Sequence, residues 1–454
     1  MHKNPKKYDI PEEKIGFKDY SDFLHEDYSL SLFNYAANKK DDNSLNMLSL
    51  FSGCGGMDIG FEGGFICNKK SVPKNSEWIE KNINENWVLL KKNRFNTIFA
   101  NDILDEALLT WQNYMKRYGK DSSIYHTESI VDLVKMHNKG ANIFPQNVDI
   151  LTGGFPCQDF SVAGKRKGFD SETSHNGTKR ESEEPSEETR GKLYFWMKQA
   201  IDITKPKIFI AENVKGLVNL GNVRDIIQND FSQANGNGYI VLTPQVLHAG
   251  NYGVPETRER VIFIGIRKDA LNSTAKKMLE KDIIPEEYNP YPAPTHNYNV
   301  NKCELTQPVT CKDVFCDLCE PEDSFDLSQH FYSKAKFMGK HCQGQTEIRL
   351  DGLGPTIRSE HHGNIEYRRL SEEHGGKIYE ELQKGMKERR LTPRECALIQ
   401  TFPPDFPFVK FKGYTKHFEV SQSGAYKVIG NAVPPVLAYN IARRIQDLWD
   451  LYFE

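Results

Sequence analysis

No stretch of this chain approaches the ~18 consecutive apolar residues that a membrane-spanning helix needs. The first residues, Met1-His2-Lys3-Asn4-Pro5-Lys6-Lys7, lack the apolar core of a signal peptide, so export is not expected. Net charge over 454 residues is only −3, which removes any global pull toward a polyanion. Contact with one has to come from local basic patches. The nine cysteines are odd in number and come without an export signal, which predicts reduced thiols and a cytoplasmic location. Cys316-x-x-Cys319 is half of a zinc-ribbon pattern, but no second close pair follows, and neighbouring Cys303, Cys311, Cys342, His330 and His341 do not supply one. No metal site is expected. No internal repeat is visible either.

What remains is an ordinary composition, 38% hydrophobic and 27% charged, able to bury a sizeable core. Apolar runs predict strands at 45–50, 95–100, 148–152 and 207–211, a weak one at 123–125, and a hairpin-like pair at 239–247 and 261–266. Helical patterns fall at 103–118, 193–203 and 223–234. Alternation of the two predicts a doubly wound, mostly parallel, seven-stranded α/β sheet. Residues 170–190, rich in Ser, Glu, Thr and Lys, read as a mobile loop. Residues 268–388 begin with Pro285, Pro290, Pro292 and Pro294 and show no long βα pattern, so they read as a smaller inserted domain. Thr392 before Pro393 marks a helix start, and a helix over 435–451 returns to the large unit. The expected division is an extension at 1–43, a large domain at 44–267 completed by 389–454, and the insert at 268–388.

Three strand ends carry reactive or ligand-binding residue types. Phe51-Ser52-Gly53-Cys54-Gly55-Gly56 follows the first strand; its glycines let a ligand approach the backbone. It does not have the Gly-x-Gly-x-x-Gly spacing of dinucleotide folds. Gly153-Gly154-Phe155-Pro156-Cys157-Gln158 ends the fourth strand at a sharp turn and holds a thiol at the carboxyl edge, where open α/β sheets bind ligands. A lone cysteine is more often a small buried hydrophobe. Glu212-Asn213-Val214 ends the fifth. Asp102, past the second strand, suits ribose hydroxyls and equally suits a helix cap.

Taken together, these sites resemble the DNA cytosine-5 methyltransferase family. So do Glu256-Thr257-Arg258-Glu259-Arg260, the stretch 390–403 and Gly430-Asn431-Ala432-Val433-Pro434. The resemblance covers most of 45–267 and 389–440. It implies S-adenosyl-L-methionine as cofactor on the corresponding fold. Phe51, Ser52, Gly53, Cys54, Gly55 and Gly56 would line its site, with Asp102 and Ile103 at the ribose and Ser129 or Ile130 at the adenine. Pro156, Leu193, Asn431 and Ala432 would complete the pocket. One departure stands out: the family usually has glutamine where this chain has Glu256.

The implied chemistry explains the residue types. Carbon 5 of cytosine is a poor nucleophile until a thiolate adds to carbon 6, the task of Cys157. Glu212, expected to be held protonated by desolvation, would stabilise charge at N3, and Arg258 and Arg260 would hold the base carbonyl and orient the acid. The base must be flipped out of its duplex. Gln158, Ser161, Lys165, Arg166 and Arg190, on or beside the loop after Cys157, are candidate DNA contacts. In 268–388, Thr356 and Arg358 are further candidates, in a cluster with Arg349, His361, His362, Asn364, Arg368 and Arg369. The expected partner is double-stranded DNA, read by a monomer that protects host DNA from a restriction endonuclease without a stable complex. A tRNA methyltransferase on the same scaffold is the alternative. A non-catalytic regulator with a relic fold is a third reading, opposed by intact Cys157, Glu212, Arg258 and Arg260.

Overall fold

The computed structural model describes residues 43–74, 76–156, 193–219, 222–300, 302–360 and 362–454. The extension before residue 43, the expected mobile loop at 170–190, and His361 lie outside them. The chain opens with β1 (Leu45–Leu50) and α1 (Gly56–Glu62). β2 (Ile66–Asn68), β3 (Ile79–Asn82) and β4 (Trp87–Leu90) then make a small antiparallel sheet that the sequence pattern did not announce. The βα alternation follows: β5 (Phe95–Asn101), α2 (Asp105–Met115), β6 (Tyr125–His126), α3 (Ile130–Asn138) and β7 (Ile150–Gly154). After the undescribed segment come α4 (Leu193–Thr204), β8 (Ile208–Val214), α5 (Val223–Ser232), β9 (Tyr239–Val241), β10 (Gln245–His248) and β11 (Glu259–Arg267).

Among the described residues the main sheet has eight strands, not seven, in the order β10-β11-β8-β7-β1-β5-β6 with β9 also on β11. The extra strand arises because the run expected over 239–247 breaks in two. Pro244 lies in the break, and proline cannot donate to a ladder. Strands β8, β7, β1, β5 and β6 pair in parallel, with β6 at the edge, and β11 turns antiparallel against β8.

Parallel strands are covered on both faces, so their residues alternate between two cores rather than between core and water. Met47, Ile150 and Ile210 belong to one core. Leu48, Leu151 and Phe209 belong to the other. Helix α8 (Pro435–Phe453) closes the first face against α1. Gly60 permits that approach, since a Cβ there would stand 2.4 Å from the Ala438 Cβ. Helices α3, α4 and α5 cover the second.

Residues 268–388 hold only short elements, including β12 (Tyr367–Arg369), which pairs with β13 (Arg389–Arg390). The start of this segment stays on the large unit. Tyr291 donates to the Ile262 carbonyl, and Arg444 of α8 donates to those of Asn289 and Glu286. Beyond it, α6 (Pro393–Ile399) has the expected Thr392 cap, completed by Glu395 into a capping box. A hairpin of β14 (Lys410–Phe411) and β15 (Phe418–Val420) leads into α7 (Gln422–Asn431).

Candidate active site

The glycine turn sits on the carboxyl edge of β1. Gly53 and Gly55 have φ of +55° and +87°, left-handed conformations that glycine adopts without strain. The turn is buttressed from below. Ser49 donates to Asp58 Oδ1 at 2.5 Å, and Trp111 Nε1 donates to Asp58 Oδ2 at 2.7 Å. Burial pushes the Asp58 carboxyl up to about 6 despite these donors. Burial likewise raises the Cys54 thiol above its ordinary value, so it is a packed thiol and not a nucleophile.

Asp102 reaches back to this turn. Its Oδ2 accepts from the Gly53 amide at 3.1 Å and its Oδ1 from Leu104 at 3.0 Å. Asp102 thus links the segment that leads into α2 to the glycine turn and sets a carboxylate beside the glycines. Desolvation pushes this carboxyl up to about 6, opposed by those amides. Ile103 beside it is 37% exposed, an apolar side chain left facing out. Tyr125 donates to the Gly53 carbonyl at 2.9 Å. Ser129 is taken up locally, since its hydroxyl caps α3, and Ile130 is buried behind it. Leu193 is buried at the start of α4, Pro156 is half-buried, and Asn431 is exposed at the end of α7 beside buried Ala432.

The residues of the turn fit an adenosyl ligand carrying a sulfonium. A Cβ on Gly53 would meet nothing within 4 Å, so backbone there borders open space with an acid alongside. Gly55 differs, because its Cβ would stand 2.8 Å from Trp111 Cδ1. The two glycines thus separate ligand contact from packing. Gly53→Ala should weaken binding of the methyl donor by at least ~10-fold, about 1.4 kcal/mol. The left-handed backbone should cost the fold only ~1 kcal/mol. Calorimetric titration beside thermal unfolding checks this; unchanged affinity would remove Gly53 from the pocket.

Across β7, Gly154 pairs with Glu212 on β8. A Cβ on Gly154 would lie 2.9 Å from Glu212 Oε2, so this glycine makes room for the carboxyl. Asn213 donates to the Phe155 carbonyl at 3.1 Å and fastens the turn that leads into Cys157. Cys157 itself, with Gln158, Ser161, Lys165, Arg166 and Arg190, lies outside the described residues. Arg260 Nε stands 2.6 Å from Glu212 Oε1, and both side chains are about one-tenth exposed. Of the two arginines expected to orient Glu212, Arg260 is the one that stands beside it.

Arg258 requires a correction. Two residues before Arg260, it is 1% exposed, and its guanidinium donates to the carbonyls of Ile357, Gly430 and Ala432 at 3.0, 3.0 and 2.7 Å. It is a buried joint between three segments, not a group that meets the base. Glu256 completes the joint: its Oε1 accepts from the Ile357 amide at 2.7 Å and lies 3.5 Å from Arg258. A glutamine carbonyl could accept the same amide, so the departure at this position alters charge, not hydrogen bonding. Burial raises the Glu256 carboxyl above its ordinary value, and Arg258 opposes that shift.

Thr356 and Arg358 are also committed within the fold. The Thr356 hydroxyl donates to the Thr257 carbonyl at 2.7 Å, and Arg358 pairs with Glu366 at 2.9 Å. Arg368 and Arg369 pair with Glu381 and are nearly buried. Of the cluster singled out around them, Arg349 is open, with its side chain 78% exposed. Among the described residues, no group of three metal-ligating side chains comes together.

A twisted, mostly parallel sheet with a glycine turn, an acid and a Glu–Arg pair on its carboxyl edge has the architecture of methyl-donor-dependent transferases. The fold matches the crystal structure of the S. pombe Dnmt2 methyltransferase with a TM-score of 0.50, at 14% identity, over 89% of this chain and 99% of that one. The sequence profile for C-5 cytosine-specific DNA methylase matches residues 45–447, and the chain belongs to that family. It is 30% identical to the Type II methyltransferase M.BsuRI of Bacillus subtilis over 97% of this chain and 88% of that protein. It is also 30% identical to M.NgoPII of Neisseria gonorrhoeae, over 89% and 96%. No helix among the described residues is long and apolar enough to cross a membrane.

Proposed function

We propose that this cytosine-5 DNA methylase marks a short duplex sequence as the modification member of a restriction system, acting as a monomer with S-adenosyl-L-methionine. The catalytic unit is 44–267 with 389–454, and 268–388 selects the sequence. The observation that carries the reading is the Glu212–Arg260 pair, set across from Gly154 at the strand end that runs into Cys157.

Phe51, Gly53 and Asp102 would hold the cofactor, with Asn431 and Ala432 closing over it. When bound, it supplies an electrophilic methyl group on a sulfonium. The remaining chemistry falls to side chains of the chain. The Cys157 thiolate adds to carbon 6 of the flipped cytosine, forming a carbon–sulfur bond and displacing the ring π pair toward carbon 5 and N3. Glu212 stabilises the proton at N3, and Arg260 holds Glu212 in place and can donate to the base carbonyl. Once carbon 5 is methylated, loss of its proton restores the ring double bond and expels the thiolate.

Thr356 and Arg358 each have one polar group engaged within the fold, whereas Arg349, paired only at 3.8 Å with Asp351, is largely exposed and is the more open candidate for DNA contact. The tRNA reading is not favoured, because the similar curated relatives are Type II methyltransferases. Methyl transfer from a labelled donor should occur with unmethylated plasmid DNA and not with tRNA. Bisulfite sequencing of that DNA should place the mark in one recurring short sequence. Labelling of tRNA alone would overturn the proposal.

A further inference from the structure

One cluster on the edge that carries Glu212 and Arg260 has no task in the reaction above. Lys215, just past β8, contacts both carboxylate oxygens of Glu259 at 2.8 and 2.9 Å. The two side chains are 48% and 35% exposed. In the ladder, Arg260 stands opposite Val214 and Leu247, while Glu259 stands opposite His248. Residues in one cross-strand row share a face of the sheet. Lys215, Glu259 and His248 therefore line the face opposite Glu212 and Arg260 at the same strand ends. The His248 ring stacks on Tyr298, centroids 4.7 Å apart and planes 26° apart.

Tyr298 is 40% exposed, yet its segment is fastened. Thr295 and His296 donate through their amides to the Asn251 carbonyl at 2.9 Å, and Asn251 Nδ2 donates to Asn299 Oδ1 at 2.7 Å. A large aromatic held in place and left open is a ready stacking surface. Burial lowers His248 below its ordinary value, so its ring is neutral near pH 7 and Lys215 is the cation of the row. Lys215 lies three residues past Glu212, roughly 10 Å at ~3.3 Å per residue, and His248 lies two strand spacings of ~4.8 Å across from it. At ~3.4 Å per nucleotide, that is about three steps along a strand whose base has entered the pocket.

We propose that this row is a second DNA contact that flanks the base pocket. Tyr298, backed by His248, packs against a sugar or base beside the target cytosine. Lys215 takes a phosphate, and Glu259 is the counter-charge it leaves. The proposal rests on the reading of Glu212 and Arg260 as the base pocket.

The carboxylate gives the test its sign. Lys215→Ala should weaken binding to unmethylated plasmid DNA and lower the slope of log affinity against log salt by about 1. Glu259→Gln should tighten binding, an outcome that damage to the fold does not produce. Tyr298→Ala should raise Kd and KM for DNA about tenfold, as loss of an aromatic stack does, with the loss in KM and not in kcat. Tyr298→Phe should restore it. Parent-like affinity and salt slope in Lys215→Ala and Tyr298→Ala, or weaker binding in Glu259→Gln, would overturn the proposal. Glu212→Gln on the same DNA separates the premises. If it keeps full turnover, the base pocket is misplaced and the flanking contact falls with it. If it loses turnover while the flanking variants bind like the parent, the flanking contact alone is wrong.

Discussion

Cys157→Ser protein, mixed with methyl donor and duplex DNA carrying 5-fluorocytosine, will give no protein–DNA adduct on a denaturing gel, whereas the parent will give a shifted band. Fluorine at carbon 5 cannot leave as a proton does, so the ring cannot regain its double bond and the carbon–sulfur bond persists. Serine cannot substitute, because its hydroxyl is far less ionised and less nucleophilic than a thiol. Turnover on ordinary DNA should fall below detection. Glu212→Gln should form the adduct ~10²–10⁴-fold more slowly, the range for losing a positioned acid or base. Its donor affinity should stay near that of the parent, since Glu212 lies on β8 opposite Gly154 of β7 and not in the 51–56 turn. A band that persists in Cys157→Ser would remove Cys157 as the nucleophile.

The second large effect separates two arginines that stand two residues apart. Arg258→Ala should destabilise the protein by ~3–5 kcal/mol, because it strips a buried charge from its partners. The partners left behind are the carbonyls of Ile357, Gly430 and Ala432 and the buried Glu256 carboxyl. Arg258→Lys should rescue little, since one ammonium cannot span the three carbonyls that a planar fork reaches. Arg260→Ala should behave oppositely. Its side chain is 12% exposed and serves mainly Glu212, so thermal unfolding should change little while turnover falls ~10²-fold or more. Urea unfolding run beside turnover distinguishes them. An Arg258→Ala protein as stable as the parent, yet inactive, would return Arg258 to the base pocket.

Much of the scaffold was legible in the chain. Runs of apolar residues mark buried parallel strands, which is why β1, β5, β7 and β8 fall where periodicity put them. Glycine turns and the Thr392–Pro393 helix start are local backbone chemistry, readable within a few residues. The helix α3 had a readable signal that went unused: Ser129 as cap, then apolar residues at 130, 131, 133 and 134. The strands β3 and β4 were illegible for a physical reason: β3 is largely exposed and β4 wholly buried, so neither alternates.

Roles that depend on distant partners were decided only by folding. By sequence, Arg258 and Arg260 are the same residue type in one short motif. Arg258 meets carbonyls 99 to 174 positions away, and Arg260 meets Glu212 on the neighbouring strand. Gly154 looks like one more flexible residue until β8 pairs with β7 and brings the Glu212 carboxyl to where a Cβ would stand. Arg358, Arg368 and Arg369 look free to read bases until chain closure supplies Glu366 and Glu381. The sequence by itself determined which chemistry this protein can perform, because strand ends, glycine turns and reactive side chains are local properties. Only the tertiary structure decided which charges are spent on holding the fold and which remain for the substrate, because an ion pair is settled by whichever partner packing brings within reach.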